Sequence, residues 1–230
     1  MEKQFKWHET SKEKWDNQAN TWNSKSKEMW ETGSRSIVIP TIEKFAQKGE
    51  KYLDVGCGDG FGSSLLHSKN INVTGVDLSS KMIEKAEELF GQEGLKFVQG
   101  DFASLPFGDE EFEGAMVINA LEWTETPLSS LQELKRVLKK GGKAFVAILG
   151  PTAGPRSNSY ERLYGKDVIC NTMMPWEFER MSSENGWYVL DGYPVYKTGV
   201  QKNEADKLSR PLQQALSFFW LFVLEKKKEQ

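Results

Sequence analysis

Cysteine and histidine are scarce in this chain of 230 residues, which has two of each. Cys57 and Cys170 give no framework of disulfides, and so few thiols and imidazoles leave no plausible zinc cluster. We therefore expect no bound metal. A chain of this length buries a full hydrophobic core, and one domain with an insertion explains the length more simply than two domains.

Long apolar runs are also missing. No run approaches the length of a membrane-spanning helix, and residues 1–8 lack the apolar core of a signal sequence. Basic residues are not in excess either, since 30 Lys and Arg face 33 Asp and Glu for a net charge of −3. The one basic cluster, residues 226–228, is interpreted as a solubilising tail. We expect a cytoplasmic protein that binds no nucleic acid and does not insert into a membrane.

Glycine, in contrast, is concentrated in one short loop. An apolar segment at residues 51–55 is followed at once by Gly56, Gly58, Gly60 and Gly62. Glycine allows positive φ angles and lets a ligand approach the main-chain N–H groups closely. The loop therefore predicts a ligand site at the end of a strand, and an ordinary tight turn is the alternative.

A second apolar segment ends at Asp77, nineteen positions after Gly58. In a strand-helix-strand unit this carboxylate comes to lie beside the ligand of the glycine loop. An acid about 20 residues after such a loop is typical of ribose recognition, because a carboxylate accepts hydrogen bonds from two hydroxyl groups. The spacing therefore favours a nucleotide cofactor over a simple turn.

A nicotinamide-dependent oxidoreductase uses the same geometry, with glycine at the first, third and sixth positions of its loop. Counting from Gly56, the sixth position is Phe61. We expect this side chain to crowd the place where a pyrophosphate would settle on the helix N-terminus. The Gly-x-Gly-x-Gly pattern favours a ligand without phosphate, and the oxidoreductase is kept as an alternative.

Apolar segments alternate with amphipathic ones through the first two thirds of the chain. This alternation predicts a parallel sheet with helices on both faces, in which ligands bind beyond the carboxyl ends of the strands. Gly56, Asp77, Asp101 and Asn119 each follow a predicted strand and are expected to converge. The predicted strands are residues 51–55, 72–76, 95–99, 114–118 and 143–149, and the predicted helices are residues 33–48, 61–68, 80–90 and 128–138.

The last third is less regular. Several prolines and glycines after residue 150 predict an irregular insertion with a short helix at residues 159–164, and Pro175 begins a helix that ends at Gly186. Residues 187–197 and 216–225 are the last two predicted strands, with a helix between them. The expected organisation is an N-terminal helical lid (1–32), a cofactor-binding core (33–150), an insertion and helix that shape the acceptor site (151–186), and the last two strands of the same domain (187–230).

The polar N-terminal segment contains four tryptophans at regular intervals. Trp7, Trp15, Trp22 and Trp30 are spaced by eight, seven and eight residues, which keeps them near one face of a helix. Either this helix is simply anchored on the domain by its aromatic face, or it forms an aromatic lid over the cofactor.

Four motifs in order resemble those of class I S-adenosylmethionine-dependent methyltransferases. They are Leu-Asp-Val-Gly-Cys-Gly-Asp-Gly at 53–60, Gly-Val-Asp-Leu-Ser at 75–79, Gly-Asp-Phe at 100–102 and Leu-Lys-Arg-Val-Leu-Lys-Lys-Gly-Gly at 134–142. The segment from Trp15 to Trp22 is similar to the aromatic-Asp-x-x-Ala-x-x-Tyr signature of quinone-biosynthesis C-methyltransferases, with a type-11 methyltransferase domain. Tryptophan replaces tyrosine at position 22. The resemblance implies a Rossmann-like, doubly wound α/β sheet of seven strands, mostly parallel, with the last strand antiparallel.

The resemblance also implies S-adenosyl-L-methionine as cofactor and S-adenosyl-L-homocysteine as product. The glycine loop, with Cys57 among its glycines, would then line the methionine and ribose part. Asp77 would hold the ribose hydroxyls and Leu78 would flank the adenine. Asp101 would accept a hydrogen bond from the adenine amino group, and the N–H of Phe102 would lie beside it.

Other residues are weaker candidates for the same site. Asn119 would lie near the methionine portion and the reacting methyl group, and Trp15 and Trp22 would cover the cofactor from the lid. Arg35 would bind the cofactor carboxylate, unless it is only a solvated arginine. Asp101 has a plainer alternative as the cap of the turn that follows it, and Asn119 as the cap of the next helix.

A sulfonium methyl group is already electrophilic, so alignment and exclusion of water are expected to drive the transfer and no strong catalytic residue is required. His8 is a candidate general base, and Tyr160 and Tyr164 of the insertion are candidate acceptor contacts. The fourth strand is followed by Asn119-Ala-Leu-Glu122, without the Asn/Asp-Pro-Pro-Tyr motif of enzymes that methylate adenine or glutamine. We expect a small, partly aromatic or apolar acceptor. A non-enzymatic sensor or assembly subunit is the third interpretation, and the oligomeric state stays open.

Overall fold

A seven-stranded sheet forms the centre of the computed structural model, which describes residues 5–228. Residues 1–4 and 229–230, the ends of the predicted segments 1–32 and 187–230, lie outside this description. The strand order is β3-β2-β1-β4-β5-β7-β6. The strands are β1 Lys51–Val55, β2 Asn72–Asp77, β3 Leu95–Gln99, β4 Phe112–Ile118, β5 Leu138–Leu149, β6 Trp187–Tyr196 and β7 Ser217–Lys226.

The pairing confirms the predicted Rossmann-like α/β sheet. β1 is parallel to β2 on one side and to β4 on the other, and β3 and β5 continue the parallel sheet outward. β7 is antiparallel to both β5 and β6. The strand order reverses between β1 and β4, where the following loops diverge to opposite faces and leave a crevice at the carboxyl ends.

Helices cover both faces of the sheet. Leu131 and Phe178 belong to the hydrophobic cluster on one face, and Ile39 and Leu66 belong to the cluster on the other. The Ser79 hydroxyl accepts a hydrogen bond from the Met82 N–H at 3.1 Å and caps the fourth helix. The helices are α1 Trp7–Glu31, α2 Val38–Ile42, α3 Phe61–His67, α4 Ser80–Phe90, α5 Pro127–Val137, α6 Pro175–Glu184, α7 Lys202–Ala205 and α8 Arg210–Leu216.

The predicted helix at residues 33–48 is wrong in length, since only Val38–Ile42 is α-helical. Pro40 lies in the middle of this segment and has no N–H for the bond to the preceding turn. The chain instead passes through turns on either side of α2. This brings the start of the segment, with Arg35, back towards the carboxyl ends of the strands.

The fifth strand begins earlier than predicted, at Leu138 instead of residue 143. Phe112 pairs with Leu138 and Gly114 pairs with Lys143, so the extra residues form a bulge. Gly141 has a φ of 75° within it. Glycine here permits an irregularity inside a strand and does not mark the end of the preceding helix.

The C-terminal third follows the predicted order of elements. The predicted short helix at residues 159–164 is a longer 3-10 helix, Gly154–Tyr164, and the polar segment between the last two strands holds two short helices, α7 and α8. Across residues 5–228, no helix combines the length and the apolar character needed to cross a membrane.

Candidate active site

A cleft of about 810 Å³, including its open mouth, lies beyond the carboxyl ends of the parallel strands. Gly56, Asp77, Asp101 and Asn119, each positioned at or after the end of a different strand, all line it. The topology therefore brings together the residues that sequence spacing had predicted to converge. α1 lies across the opening and contributes a further wall.

The first two positions of the loop require glycine, because neighbouring side chains approach the backbone closely there. Gly56 has a φ of 73°, and a Cβ at this position would lie 2.5 Å from the Ala120 Cβ. Gly58 has a φ of 56°, and its Cβ would lie 3.0 Å from the Trp22 Nε1. Any side chain at either position would strain the backbone and fill the space between the loop and the opposite wall.

The remaining loop residues predicted to bind the cofactor do not line the cleft. A Cβ on Gly60 would lie 2.6 Å from the Phe97 ring, so this glycine serves the packing of the loop on β3 and α4. Cys57 is buried, and burial raises the pKa of its thiol well above the usual value. Its place in the loop is that of a small, unreactive core side chain.

Asp77 joins the glycine loop to the end of β2. Its Oδ2 accepts a hydrogen bond from the Gly58 N–H at 2.9 Å, and its Oδ1 accepts one from the Ser79 N–H at 2.9 Å. Burial raises the pKa of this carboxyl, while the two backbone hydrogen bonds act in the opposite direction. Each oxygen keeps a lone pair, so the carboxylate can still accept two hydroxyl groups from a ligand.

Asp101 has one of the two roles considered for it from the sequence, that of a cap for the following turn; its role towards adenine stays a prediction. Its Oδ1 accepts a hydrogen bond from the Ala103 N–H at 2.8 Å, which caps the following turn. Its Oδ2 lies 2.6 Å from Nδ1 of His8, which reaches down from α1. Nε2 of His8 lies 3.7 Å from a carboxylate oxygen of Glu125. His8 therefore faces the predicted adenine end of the cleft.

α1 is anchored on the domain by its aromatic face, and the same face lines the cleft. The Trp7 indole N–H donates to the Trp123 carbonyl at 2.8 Å, and Trp15 packs edge-to-face against Trp22 and Trp123 with ring centroids 5.8 and 5.1 Å apart. Trp7, Trp15, Trp22 and Trp123 all line the cleft. The anchored helix is therefore what the structure shows, and a lid over the cofactor stays a prediction.

Polar contacts fix the far half of α1 to the glycine loop. Asn23 and Ser26 donate to the Asp59 carboxylate at 3.0 and 2.8 Å. The prediction that Phe61 crowds the α3 N-terminus is wrong, because its ring packs edge-to-face against Phe90 at 5.9 Å and does not line the cleft. The first turn of α3 is covered by this lid contact instead.

The N–H donors of the Arg35 guanidinium are not taken up by a carboxylate of the described residues. It is only 8% exposed, lines the cleft, and lies over the rings of Trp22 and Trp30 at 4.8 and 5.4 Å. Among residues 5–228 its guanidinium forms no ion pair. Burial lowers the pKa of Arg35 to about 10, against the opposing influence of nearby carboxylates. The group is charged at neutral pH and available to an anionic ligand.

Asp54, at the end of β1, supports the glycine loop through a contact with α3. It is 2% exposed, and its Oδ2 accepts a hydrogen bond from the Ser63 hydroxyl at 2.6 Å. This bond holds α3 against the end of β1. Burial raises the pKa of Asp54 to about 7, although Ser63 and Arg35 act to lower it.

Asn119 lines the cleft at the end of β4 with a φ of 55°. Its side-chain amide donates to the Ala147 carbonyl at 3.4 Å. The 3-10 helix Leu121–Trp123 that follows has no side-chain cap, so the alternative of Asn119 as a helix cap is not what the structure shows. Asparagine tolerates this left-handed conformation better than most residues.

Tyr160 and Tyr164 lie outside the cleft. They are 56% and 70% exposed on the 3-10 helix Gly154–Tyr164, and their hydroxyl oxygens are 3.2 Å apart. In this conformation neither touches the space where an acceptor would bind.

Several lining residues were not singled out as site residues from the sequence. Trp7 shared the tryptophan spacing and Trp123 followed the end of β4 closely, and these were the signals that could have found them. Met82 had no such signal, because its place on the buried face of α4 looks like any core position. The residues missed are Trp7, Ser11, Val55, Val76, Met82, Gly100, Ile118, Ala120, Trp123 and Thr124.

Comparisons with known proteins show which family this chain is similar to. Residues 53–146 match the family model described as a methyltransferase domain. The chain is also 30% identical over 141 residues to a demethylmenaquinone methyltransferase of Clavibacter sepedonicus, covering 61% of this chain and 55% of that protein. This chain spans about half or less of the length of the first curated relatives it matches.

Solved structures show the same fold around the methyltransferase domain. The complex of the Haloferax volcanii Trm112 methyltransferase activator with its methyltransferase gives a TM-score of 0.71 at 20% identity, over 93% of this chain and 98% of that chain. A SAM-dependent methyltransferase from Methanosarcina mazei gives 0.66 at 20% identity, over 83% and 98%. None of these similarities supports a nicotinamide-dependent oxidoreductase.

The family and fold imply S-adenosyl-L-methionine as the cofactor, and the cleft fits this molecule. Gly56 and Gly58 line the cleft with main-chain atoms and no side chain. Asp77 retains acceptor capacity for ribose hydroxyls, and Arg35 offers unmatched donors for a carboxylate. Within residues 5–228, no group of three or more His, Cys, Asp or Glu is placed to hold a metal ion.

Proposed function

We propose that this protein transfers the methyl group of S-adenosyl-L-methionine to a small-molecule acceptor. The observation that carries the proposal is the meeting of Gly58, Asp77, Asp101 and Arg35 around one cleft, beneath an aromatic lid. These groups match the ribose, the adenine edge and the carboxylate of the cofactor in chemical type. The methyltransferase domain at residues 53–146 supports the same assignment.

We assign each polar group a binding role. Asp77 accepts the ribose hydroxyl groups, and Asp101, with the Phe102 N–H beside it, binds the adenine edge between Leu78 and the lid. Arg35 binds the cofactor carboxylate between two indole rings, where a charge-assisted bond is shielded from water. Together these contacts fix both ends of the cofactor.

The chemistry of the donor leaves the protein a task of alignment. The sulfonium supplies an electrophilic methyl group, and no residue has to activate it. α1 closes the cleft through the Trp7 contact to Trp123 and the Asn23 contact to Asp59 and excludes water. Holding two reactants in line contributes roughly 7–11 kcal/mol to such a reaction.

The tryptophans of the lid favour a planar or apolar acceptor. Trp7, Trp15 and Trp123 present indole rings to the cleft, and such rings bind flat, apolar molecules well. The relative named as a demethylmenaquinone methyltransferase acts on a quinone by its name. A quinol or a similarly flat phenol is the acceptor class that we propose first.

A transfer assay tests the proposal. The wild-type chain is incubated with methyl-labelled S-adenosyl-L-methionine and a metabolite extract, and label is followed into extractable small molecules. We expect incorporation that requires the folded protein and, at cofactor concentrations below saturation, is strongly reduced in Asp77→Asn. Cofactor binding without any transfer would instead support the sensor or assembly-subunit alternative.

A further inference from the structure

The aromatic face of α1 that lines the cleft also carries a serine. Ser11 lies four positions after Trp7 and four before Trp15, and all three residues line the cleft. Residues four apart stack on the same face of an α-helix, so the Ser11 hydroxyl lies between the two indole side chains. A hydroxyl group is therefore set into the aromatic surface that faces the cleft.

The Ser11 hydroxyl is buried without a hydrogen-bond partner. The residue is 3% exposed, and its hydroxyl forms no hydrogen bond within the part of the chain that the structure describes. A hydroxyl on a helix can donate to the carbonyl four residues earlier, as the neighbouring Thr10 does to Lys6 at 3.0 Å. The other hydroxyl that lines the cleft, that of Thr124, donates to the Leu121 carbonyl at 2.8 Å. A buried hydroxyl without a partner is unfavourable unless a ligand provides one.

The neighbouring contacts of α1 place this hydroxyl on the side of the cleft that holds Trp123. The Trp7 indole N–H donates to the Trp123 carbonyl, and the Trp15 ring packs edge-to-face against the Trp123 ring. His8 lies on the adjacent face of the helix and instead contacts Asp101. The hydroxyl therefore belongs with Trp7, Trp15 and Trp123, which together form the aromatic wall of the cleft, and not with Asp101.

A hydroxyl among three indole rings suits a flat aromatic molecule that carries an oxygen. The indole rings bind the apolar faces of such a molecule. The hydroxyl accepts a hydrogen bond from a phenolic O–H or donates one to a carbonyl oxygen. A hydrocarbon of the same shape would leave the hydroxyl unpaired, so this one bond allows the aromatic wall to distinguish the two molecules.

We propose that Ser11 is a specificity-determining residue for the methyl acceptor: its hydroxyl hydrogen-bonds an oxygen substituent of a flat aromatic acceptor held against the aromatic wall. The inference rests on the proposed function, since it takes a small-molecule acceptor as the occupant of this part of the cleft. The bond fixes the rotation of the acceptor ring within its plane. That rotation decides which atom of the acceptor faces the methyl group.

Equilibrium dialysis with 1-naphthol and naphthalene tests this role, in the presence of saturating S-adenosyl-L-homocysteine. The two probes differ by a single hydroxyl group. We expect Ser11→Ala to weaken the binding of 1-naphthol about fivefold, which corresponds to the loss of one neutral hydrogen bond, and to leave naphthalene within about twofold of the wild type. Ser24→Ala, on the exposed side of the same helix, is the control and should bind both probes like the wild type.

Four results would overturn the inference. If Ser11→Ala binds 1-naphthol like the wild type, or weakens both probes equally, Ser11 has a role in packing only. If the variant loses affinity for S-adenosyl-L-homocysteine, which calorimetry measures, the hydroxyl serves the cofactor instead. A wild type that binds S-adenosyl-L-homocysteine but neither probe would exclude the aromatic wall as the acceptor site. Failure of the wild type to bind S-adenosyl-L-homocysteine is a different outcome, because it would remove the proposed function itself.

Discussion

At the residue scale, the site is a set of buried charges with separate tasks. Asp54 holds α3 to β1, Asp77 holds the glycine loop to β2, and the Arg35 guanidinium lies between two indole rings. Spacing in the sequence predicted Asp77 because the acid follows the loop at a fixed distance. Sequence alone left Arg35 open, since nothing in it shows that the guanidinium is buried and without a carboxylate partner.

We expect cofactor affinity to depend most directly on the carboxylate of Asp77. Asp77→Asn keeps the size of the side chain but replaces an acceptor with a donor that opposes the Gly58 or Ser79 N–H. We expect the affinity for S-adenosyl-L-homocysteine to fall at least about tenfold by calorimetry. Asp167→Asn, on the exposed insertion, is the control, and an Asp77→Asn protein that binds like this control would remove Asp77 from the ribose role.

The raised pKa of Asp54 leads us to expect that the free energy of unfolding depends on pH. Its pKa is about 7 in the folded protein, whereas an aspartate in an unfolded chain titrates near about 3.9. Between these values the unfolded chain releases a proton that the folded protein keeps, so this residue lowers the free energy of unfolding as pH rises through the window. This decrease in the free energy of unfolding is complete above about pH 7 and absent below about pH 4.

The test of this dependence is urea denaturation of Asp54→Asn and wild type at about pH 5 and about pH 8. Asparagine still accepts the Ser63 hydroxyl but does not ionise. We expect the wild type to lose more stability than the variant on going to the higher pH, by an amount on the order of 1–4 kcal/mol. Identical pH profiles would show that Asp54 is not held protonated.

At the element scale, α1 lies across the opening of the cleft. Its first turn is tied to Asp101 through His8 and to Trp123 through Trp7, and its last turns are tied to Asp59. The regular tryptophan spacing predicted a helix with one aromatic face. The partner of that face could not be predicted, because periodicity indicates which residues share a side and not what they cover.

Breaking the contact between His8 and Asp101 should ease entry of the cofactor. His8→Ala removes one bond that holds the lid down and frees an oxygen of Asp101 for the adenine edge. We expect the association rate constant of S-adenosyl-L-homocysteine, followed by stopped-flow tryptophan fluorescence, to rise roughly three- to tenfold. Glu9→Gln, one position along the same turn, is the control, and an unchanged rate in His8→Ala would mean that this contact does not limit entry.

Two elements differ from their sequence predictions for local physical reasons. The helix at residues 33–48 is shortened because Pro40 cannot donate to the preceding turn. β5 starts before Gly141 because the sheet absorbs that glycine in a bulge. In both places the bounds of the element depended on neighbouring strands and helices, which the local sequence does not show.

At the scale of the whole molecule, sequence predicted the sheet better than the site. Alternating apolar segments and strand-end residues are local signals. They were enough to predict that the strands are parallel and that the residues after them converge at the carboxyl ends of the sheet. The walls formed by Trp123 and Met82, and the exposure of Tyr160 and Tyr164, depend on long-range packing. The insertion turns its tyrosines outward, which no local pattern indicates.

Ligand binding should stabilise the entire fold, because the cofactor would bridge the ends of several strands. At a hundredfold excess over its dissociation constant, a ligand that binds only the folded state adds about 2.7 kcal/mol. For a domain of this size that corresponds to a rise in Tm of roughly 5–10 °C. Differential scanning fluorimetry with S-adenosyl-L-homocysteine measures it, and a smaller rise in Asp77→Asn at equal concentration is expected.

The central claim is that the cleft is a site for S-adenosyl-L-methionine, and calorimetric titration of the wild-type chain tests it most directly. Titrations with S-adenosyl-L-methionine, S-adenosyl-L-homocysteine and NADH are compared under the same conditions. We predict one site per chain for the first two molecules and no heat of binding for NADH. Binding of NADH, or no binding of either sulfur compound at millimolar concentrations, would contradict the account.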